Sequence, residues 1–88
     1  MAENAQPLDP DTCTEIVVNH TPFPDKSRGP DQLLKDLGIL GDTEVELHKG
    51  GIIRDLRDRG LHIDGSDISS GPAVSVGDCA ASVCANAS

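Results

Sequence analysis

The residues GSDISSGPAVSVGDCAASVCANAS, numbered 65–88, set the C-terminal part of this chain apart from the rest. They are almost all Ser, Ala, Gly and small apolar residues, whereas every Lys and Arg lies upstream, between Lys26 and Arg59. Without large side chains, the segment has little to bury against another element. The sequence therefore predicts an unstructured segment that begins near residues 64–72.

The composition of the whole chain points in the same direction. It has 88 residues, of which 36% are hydrophobic, and Phe23 is its one aromatic residue. A chain of this length is close to the lower limit for burying a stable core. We therefore predict a mostly disordered peptide with no large core, which forms short α-helices and a possible short β-strand upstream of residue 65.

The N-terminal third is predicted to be extended. Residues 1–12 combine prolines and carboxylates and are typical of a disordered acidic tail. The β-branched run in residues 13–20 favours a short strand. Residues 21–30 contain three prolines and favour a linker.

Two short helices and a strand are predicted next. A proline at a first helical position and a leucine stripe predict a helix over residues 30–37 that ends at Gly38. Alternation of apolar and polar residues over 44–48 favours a half-buried strand. An apolar stripe over residues 51–59 predicts a second helix, with a stop at Gly60.

The net charge restricts the partners that the chain could bind. The formal charge is −8, so binding to nucleic acid or to an anionic membrane is not expected, because both depend on Lys and Arg. No stretch is long and apolar enough to span a membrane, and the first residues lack the features of a signal peptide. We predict a cytoplasmic chain with a basic protein partner.

The C-terminal segment combines hydroxyl and thiol groups on a backbone with little bulk. If a partner enzyme dehydrates a serine to dehydroalanine, a cysteine thiolate can add to the alkene and close a thioether ring. Ser75 and Cys79 would enclose three residues, and Ser82 and Cys84 would make a tighter ring. The candidates for modification are Ser70, Ser75, Cys79, Ser82, Cys84 and Ser88.

This layout resembles the precursors of ribosomally synthesised, post-translationally modified peptides. An acidic front part is followed by a Gly71–Pro72 junction and a short segment with cysteines. The Ser and Cys pairing is most similar to lanthipeptides, with sactipeptides and azole-forming families as alternatives. The resemblance implies a leader over residues 1–64 and a core peptide over 65–88, no cofactor, cognate modifying enzymes and a leader protease as partners, and export of a product that could be antimicrobial.

Partner recognition is predicted to reside in the leader. The predicted strand could add to a sheet edge of the modifying enzyme, or the helices could lie in a groove. The candidate contacts are Ile16, Val17, Val18, Leu33, Leu34, Leu37, Ile52, Ile53 and Leu56.

The histidines and cysteines also bear on other functions. The three histidines are scattered, one per segment, and the C-x4-C spacing of Cys79 and Cys84 is wide for structural zinc, so no metal site is predicted. His48 and His62 are expected to be ordinary surface or strand-end residues. A chain of this size has little mass for a catalytic pocket, so no catalytic residue is assigned and the protein is not predicted to be an enzyme. Two alternatives remain: a small acidic binding module or inhibitor that docks on a basic protein partner, and a small redox or metal carrier that uses Cys79 and Cys84.

Overall fold

Three α-helices form the framework of the molecule. The computed structural model describes residues 8–88, in which α1 spans Pro10–Asn19, α2 spans Asp42–Asp58 and α3 spans Val76–Asn86. The connections contain short 3-10 helices at Pro24–Lys26, Leu34–Leu37 and Gly65–Asp67. Within residues 8–88 no β-strand forms, and one antiparallel bridge joins Leu33 to Ser75.

Helix α1 begins with a strong local signal. The Asp9 carboxylate accepts a hydrogen bond from the Thr12 amide at 2.7 Å, and Pro10 occupies the first helical position, where its missing N–H costs nothing. The residues that α1 buries are Cys13, Ile16 and Val17, whose spacing of three and four places them on one helical face. This face packs against α3.

Helix α3 is built from small residues and is capped in the same way. The Ser75 hydroxyl accepts a hydrogen bond from the Asp78 amide at 3.1 Å. Its buried stripe follows the i, i+3, i+4, i+7 spacing and consists of Val76, Cys79, Ala80 and Val83. Small side chains allow two helices to approach closely, and α3 lies directly against α1.

The start of α3 is also fastened to the middle of the chain. The Leu34 amide donates to the Val74 carbonyl at 2.8 Å, and the Val76 amide donates to the Gln32 carbonyl at 2.9 Å. The Gly77 amide donates to the Pro30 carbonyl at 2.8 Å, an approach that leaves little room for a side chain at Gly77. Residues 30–34 therefore hold the first turn of α3 in place.

A hydrophobic core joins all three helices and the connection between α1 and α2. Leu34, Leu37 and Ile39 come from that connection, and Ile52 and Leu56 come from α2. The remaining buried core residues are Cys13, Ile16, Val17, Ile63, Ile68, Val76, Cys79, Ala80 and Val83. The core of the described residues thus consists of Leu, Ile, Val, Ala and Cys and includes no Phe, Tyr or Trp.

The structure corrects the predicted fold class. Residues 8–88 form a compact unit in which 59% of the residues are helical, so the prediction of a mostly disordered peptide without a core is wrong. The reason is that many medium-sized and small apolar residues are buried completely, which offsets the lack of large side chains. Of the predicted acidic tail, residues 1–7 lie outside the described residues, and residues 10–12 form the first turn of α1.

Several predicted elements also change. The predicted strand over residues 13–20 is largely helix α1, and the predicted strand over 44–48 is part of α2. The predicted helix over 30–37 is reduced to turns and one 3-10 helix. The predicted helix over 51–59 is confirmed as the second half of α2, and the chain from 76 to 86 is helical where an unstructured segment was predicted.

The two predicted stops at glycine are confirmed. Gly38 and Gly60 have backbone φ angles of 102° and 82°, a conformation that residues with a side chain rarely adopt. Within residues 8–88, no helix has both the length and the apolar character needed to cross a membrane.

Candidate docking surface

Two leucines project into solvent around the first half of α2. Leu40 is 70% exposed and Leu47 is 71% exposed, whereas the other large hydrophobic residue that is exposed in the described chain, Phe23, lies under the Lys26 ammonium, 5.1 Å from its ring centroid. Scattered apolar residues are common at protein surfaces, so exposure alone carries little weight. Leu40 and Leu47 differ from scattered apolar residues because acidic residues lie near them in the sequence.

The segment that carries these leucines is strongly acidic. Residues 36–47 contain four carboxylates and no Lys or Arg, and three of these carboxylates are exposed. We call this region the leucine–carboxylate surface, which consists of Asp36, Leu40, Asp42, Glu44, Glu46 and Leu47. Carboxylates in the first turn of a helix also stabilise it through the helix dipole, so some of this charge supports α2 itself.

The fold fixes the outward position of Leu40. The preceding residue, Ile39, is completely buried, and its amide donates to the Leu34 carbonyl at 3.1 Å. The next residue, Gly41, is the extended N-cap of α2, and its carbonyl accepts the first helical hydrogen bond, from the Val45 amide. Leu40 is therefore held between a buried anchor and a helix start.

A buried histidine fixes the outward position of Leu47. His48 is fully buried, and its Nε2 donates to the Val17 carbonyl at 2.8 Å while its Nδ1 accepts from the Ser70 hydroxyl at 2.8 Å. Successive residues of an α-helix lie about 100° apart, so a His48 that faces the core turns Leu47 to solvent. The sequence interpretation of His48 as a surface or strand-end residue is corrected by this burial.

The environment keeps His48 neutral. Burial is the main cause that lowers its pKa below the ordinary value of 6.5. The hydrogen bond to Val17 raises the pKa and the charge of His20 lowers it, and both effects are weaker than that of burial. A neutral imidazole satisfies both partners with one donor and one acceptor. His48 therefore ties α2 to α1 and to the loop before α3 without adding charge.

The second half of α2 differs in charge from the first. It carries Lys49, Arg54 and Arg57 together with Asp55 and Asp58, and Arg59 follows it. The partly buried Asp55 accepts from His20 at 2.9 Å and from Arg59 at 2.8 Å. Burial would raise the pKa of Asp55, but the hydrogen bonds and charges of Arg59 and His20 together lower it. The start of α2 is therefore acidic, whereas the helix from Lys49 onward has one more basic than acidic residue.

The serines predicted as modification sites make structural hydrogen bonds. Ser75 caps α3, and Ser70 bonds to His48. The Ser82 hydroxyl donates to the Cys79 carbonyl at 2.7 Å and accepts from the Ser69 amide. Cys79 is buried, Cys84 is half-buried, and the backbone of Ser88 pairs with that of His62.

The predicted partner-binding residues lie mainly inside the molecule. Val18, Leu33 and Ile53 are half-buried. The six that are buried are Ile16, Val17, Leu34, Leu37, Ile52 and Leu56. A partner could contact these six only after the helices separated. The leucine–carboxylate surface was missed because a strand pattern placed Leu47 on the same face as Val45, whereas a helix separates them.

The described chain offers no ready-made ligand set for a metal ion. Between residues 8 and 88, no three His, Cys, Asp or Glu side chains come together in a suitable group. Comparison of the chain with protein-family models, curated proteins and solved structures finds no match.

Proposed function

We propose that this protein is a small acidic binding module that docks on a basic protein partner through the leucine–carboxylate surface. The observation that carries the proposal is the pair of leucines, each about 70% exposed, in a segment with four carboxylates and no basic residue. The proposal gives the protein no catalytic step of its own.

The two kinds of residue would have different tasks in docking. Transfer of an exposed leucine into an apolar pocket is worth roughly 1.5–3 kcal/mol, so Leu40 and Leu47 would supply affinity. The carboxylates around them would attract Lys and Arg on the partner, which raises the association rate and selects the partner's charge. Apolar anchors with a charged rim are the common organisation of protein interfaces.

The charge reversal along α2 would set the direction of docking. A partner with basic groups opposite residues 36–47 would avoid placing them opposite Arg54 and Arg57, because like charges repel. The expected partner surface is therefore an apolar pocket with Lys and Arg concentrated on one side.

Paired baits test the proposal. The full chain, Asp42→Lys/Glu46→Lys and the control Glu15→Lys/Asp78→Lys would be immobilised and exposed to extract of the source cells. Both variants change the net charge by the same amount, but the control changes exposed residues of α1 and α3. We expect a partner retained by the wild type and the control and lost by the α2 variant.

A second pair of baits separates charge from apolar contact. Leu47→Ser should weaken the affinity for the same purified partner by roughly tenfold or more, since it removes the apolar anchor. Ala81→Ser should leave binding unchanged. Equal binding to all baits, or loss of the partner with the α1/α3 control alone, would refute the proposal.

The precursor-peptide function stays a prediction, as do the cytoplasmic precursor and the exported product. Its candidate Ser and Cys residues lie in α3 and the loops that α3 holds, so an enzyme would have to unfold α3 before it could close a ring. Co-production with a modifying enzyme would test it through loss of water from serine and loss of free thiols, as seen by mass spectrometry.

A further inference from the structure

The two thiols of α3 lie in different surroundings. Cys79 and Cys84 are near one another in sequence, but five residues along an α-helix correspond to a rotation of about 140°, so the two side chains leave α3 in different directions. Cys79 is completely buried in the core, and Cys84 is half-buried towards α1.

The Cys84 thiol lies against the first turn of α1. It donates a hydrogen bond to the Leu8 carbonyl at 3.4 Å. The buried Cys13 lies one turn further along α1, where its amide donates to the Asp9 carbonyl at 3.0 Å. Burial is the main cause that raises the pKa of Cys13 to about 12, and Cys84 adds to the effect. Both thiols are free in the structure.

An open groove gives small molecules access to this pair. It lies between α1 and α3, has a volume of about 640 Å³ and is mostly apolar. Cys84 forms part of its wall, with Thr14 on α1 and Ala80 on α3 nearby. Cys13 is completely buried and does not line the groove, so a reagent in the groove meets Cys84 first.

We propose that Cys13 and Cys84 form a reversible disulfide that joins α1 to α3, with Cys84 as the thiol that reacts first. The oxidant is a low-molecular-mass disulfide. Cys84 loses its proton and attacks one sulfur of that disulfide, which releases one small thiol and leaves a mixed disulfide. Cys13 then loses its proton and attacks the Cys84 sulfur, which releases the second small thiol.

The bond would close a covalent loop over residues 13–84, which is most of the chain. Because α1 and α3 are already packed together, a bond between them restricts the unfolded chain far more than the native one. An excess of a small thiol reverses both steps. The proposal concerns a modification site and does not depend on the docking function.

Tryptic digestion distinguishes the possible pairings. Lys26 is the first and Arg59 the last tryptic site, so Cys13 falls in one fragment while Cys79 and Cys84 share another. The reduced full chain would be incubated with oxidised glutathione in native buffer, quenched in acid, alkylated and digested. We expect loss of about 2 Da, a crosslink between the two fragments and one alkylated thiol.

Unfolding the chain should change the pairing. In concentrated urea the short separation of Cys79 and Cys84 favours their bond by loop-closure entropy, so the crosslink should move inside the C-terminal fragment. In native buffer, Cys79→Ala should still crosslink, whereas Cys84→Ser should not. The oxidised wild type should melt roughly 10 °C or more above the reduced form.

The contrary results are equally clear. Three alkylated thiols after native incubation, a stable glutathione adduct at Cys84, or a native bond between Cys79 and Cys84 would each overturn the proposal. None of these results requires a variant, so a folding defect in Cys84→Ser would not obscure the outcome.

Discussion

Helices α2 and α3 both bury one face, but they hold that face in different ways. The stripe of α3 is made only of Val, Ala and Cys and packs directly on α1. The stripe of α2 includes His48, whose imidazole bonds to two other parts of the chain, and Asp55 on its flank is bound by His20. Small apolar residues suffice where helices lie close together. The charge-rich helix adds polar contacts to its buried Ile52 and Leu56, and Leu47 on its outer face is exposed.

The largest expected effect comes from disturbing the α3 stripe. Val83→Asp buries a carboxylate in the core and should cost about 4 kcal/mol or more, enough to unfold a small domain. Circular dichroism should show loss of helix throughout the chain. Ala81→Asp, at an exposed position on the same helix, should stay folded. An unchanged spectrum for Val83→Asp would mean that α3 is not part of the core.

Removal of His48 tests the polar attachment of α2. His48→Ala leaves a cavity and an unpaired Val17 carbonyl, so the free energy of unfolding should fall by roughly 3 kcal/mol. Urea denaturation is the measurement. His62→Ala, which changes an exposed histidine, should stay within about 0.5 kcal/mol of the wild type. Equal losses for the two variants would contradict the role given to His48.

The pH dependence of stability isolates the same group with a smaller effect. The pKa of His48 is lowered in the folded state by burial, so between its ordinary value of 6.5 and that lower value only the unfolded chain takes up the proton. Stability should therefore be complete above pH 6.5 and decrease as the pH falls below it. Urea midpoints at several pH values should show this slope, and His48→Ala should lack most of it. Identical slopes would exclude His48 as the cause.

Two neighbouring glycines in α2 provide the finest test. A Cβ at Gly51 would lie 2.6 Å from His20 Nδ1, whereas a Cβ at Gly50 would meet nothing within 4 Å. Gly51→Ala should displace His20 from Asp55 and destabilise the protein by about 1 kcal/mol, and Gly50→Ala should stabilise it by about 0.5–1 kcal/mol through helix propensity. Thermal melts of the two variants would measure the difference. Effects of the same sign would show that His20 does not pack on Gly51.

The sequence contained more of this fold than its composition suggested. Asp9 and Pro10 form a recognisable helix start, and Ser75 precedes an apolar stripe at helical spacing. The β-branched residues of α1 favoured a strand, but burial against α3 overrode that local preference. The position of the Cys84 thiol against the first turn of α1 depends on tertiary packing and has no local signal. The outward direction of the Leu47 side chain likewise follows only once Asp42–Asp58 is known to form one helix.

The most direct test of the proposed function is a map of the bound surface. Nitrogen-15-labelled protein would be titrated with the purified partner obtained from the paired baits, and amide shifts would be followed in a proton–nitrogen correlation spectrum. We predict changes centred on residues 36–47, unchanged signals for α3, and weaker binding as salt rises above roughly 0.1 M. Changes centred on residues 65–88, with residues 36–47 unaffected, would contradict docking through the leucine–carboxylate surface.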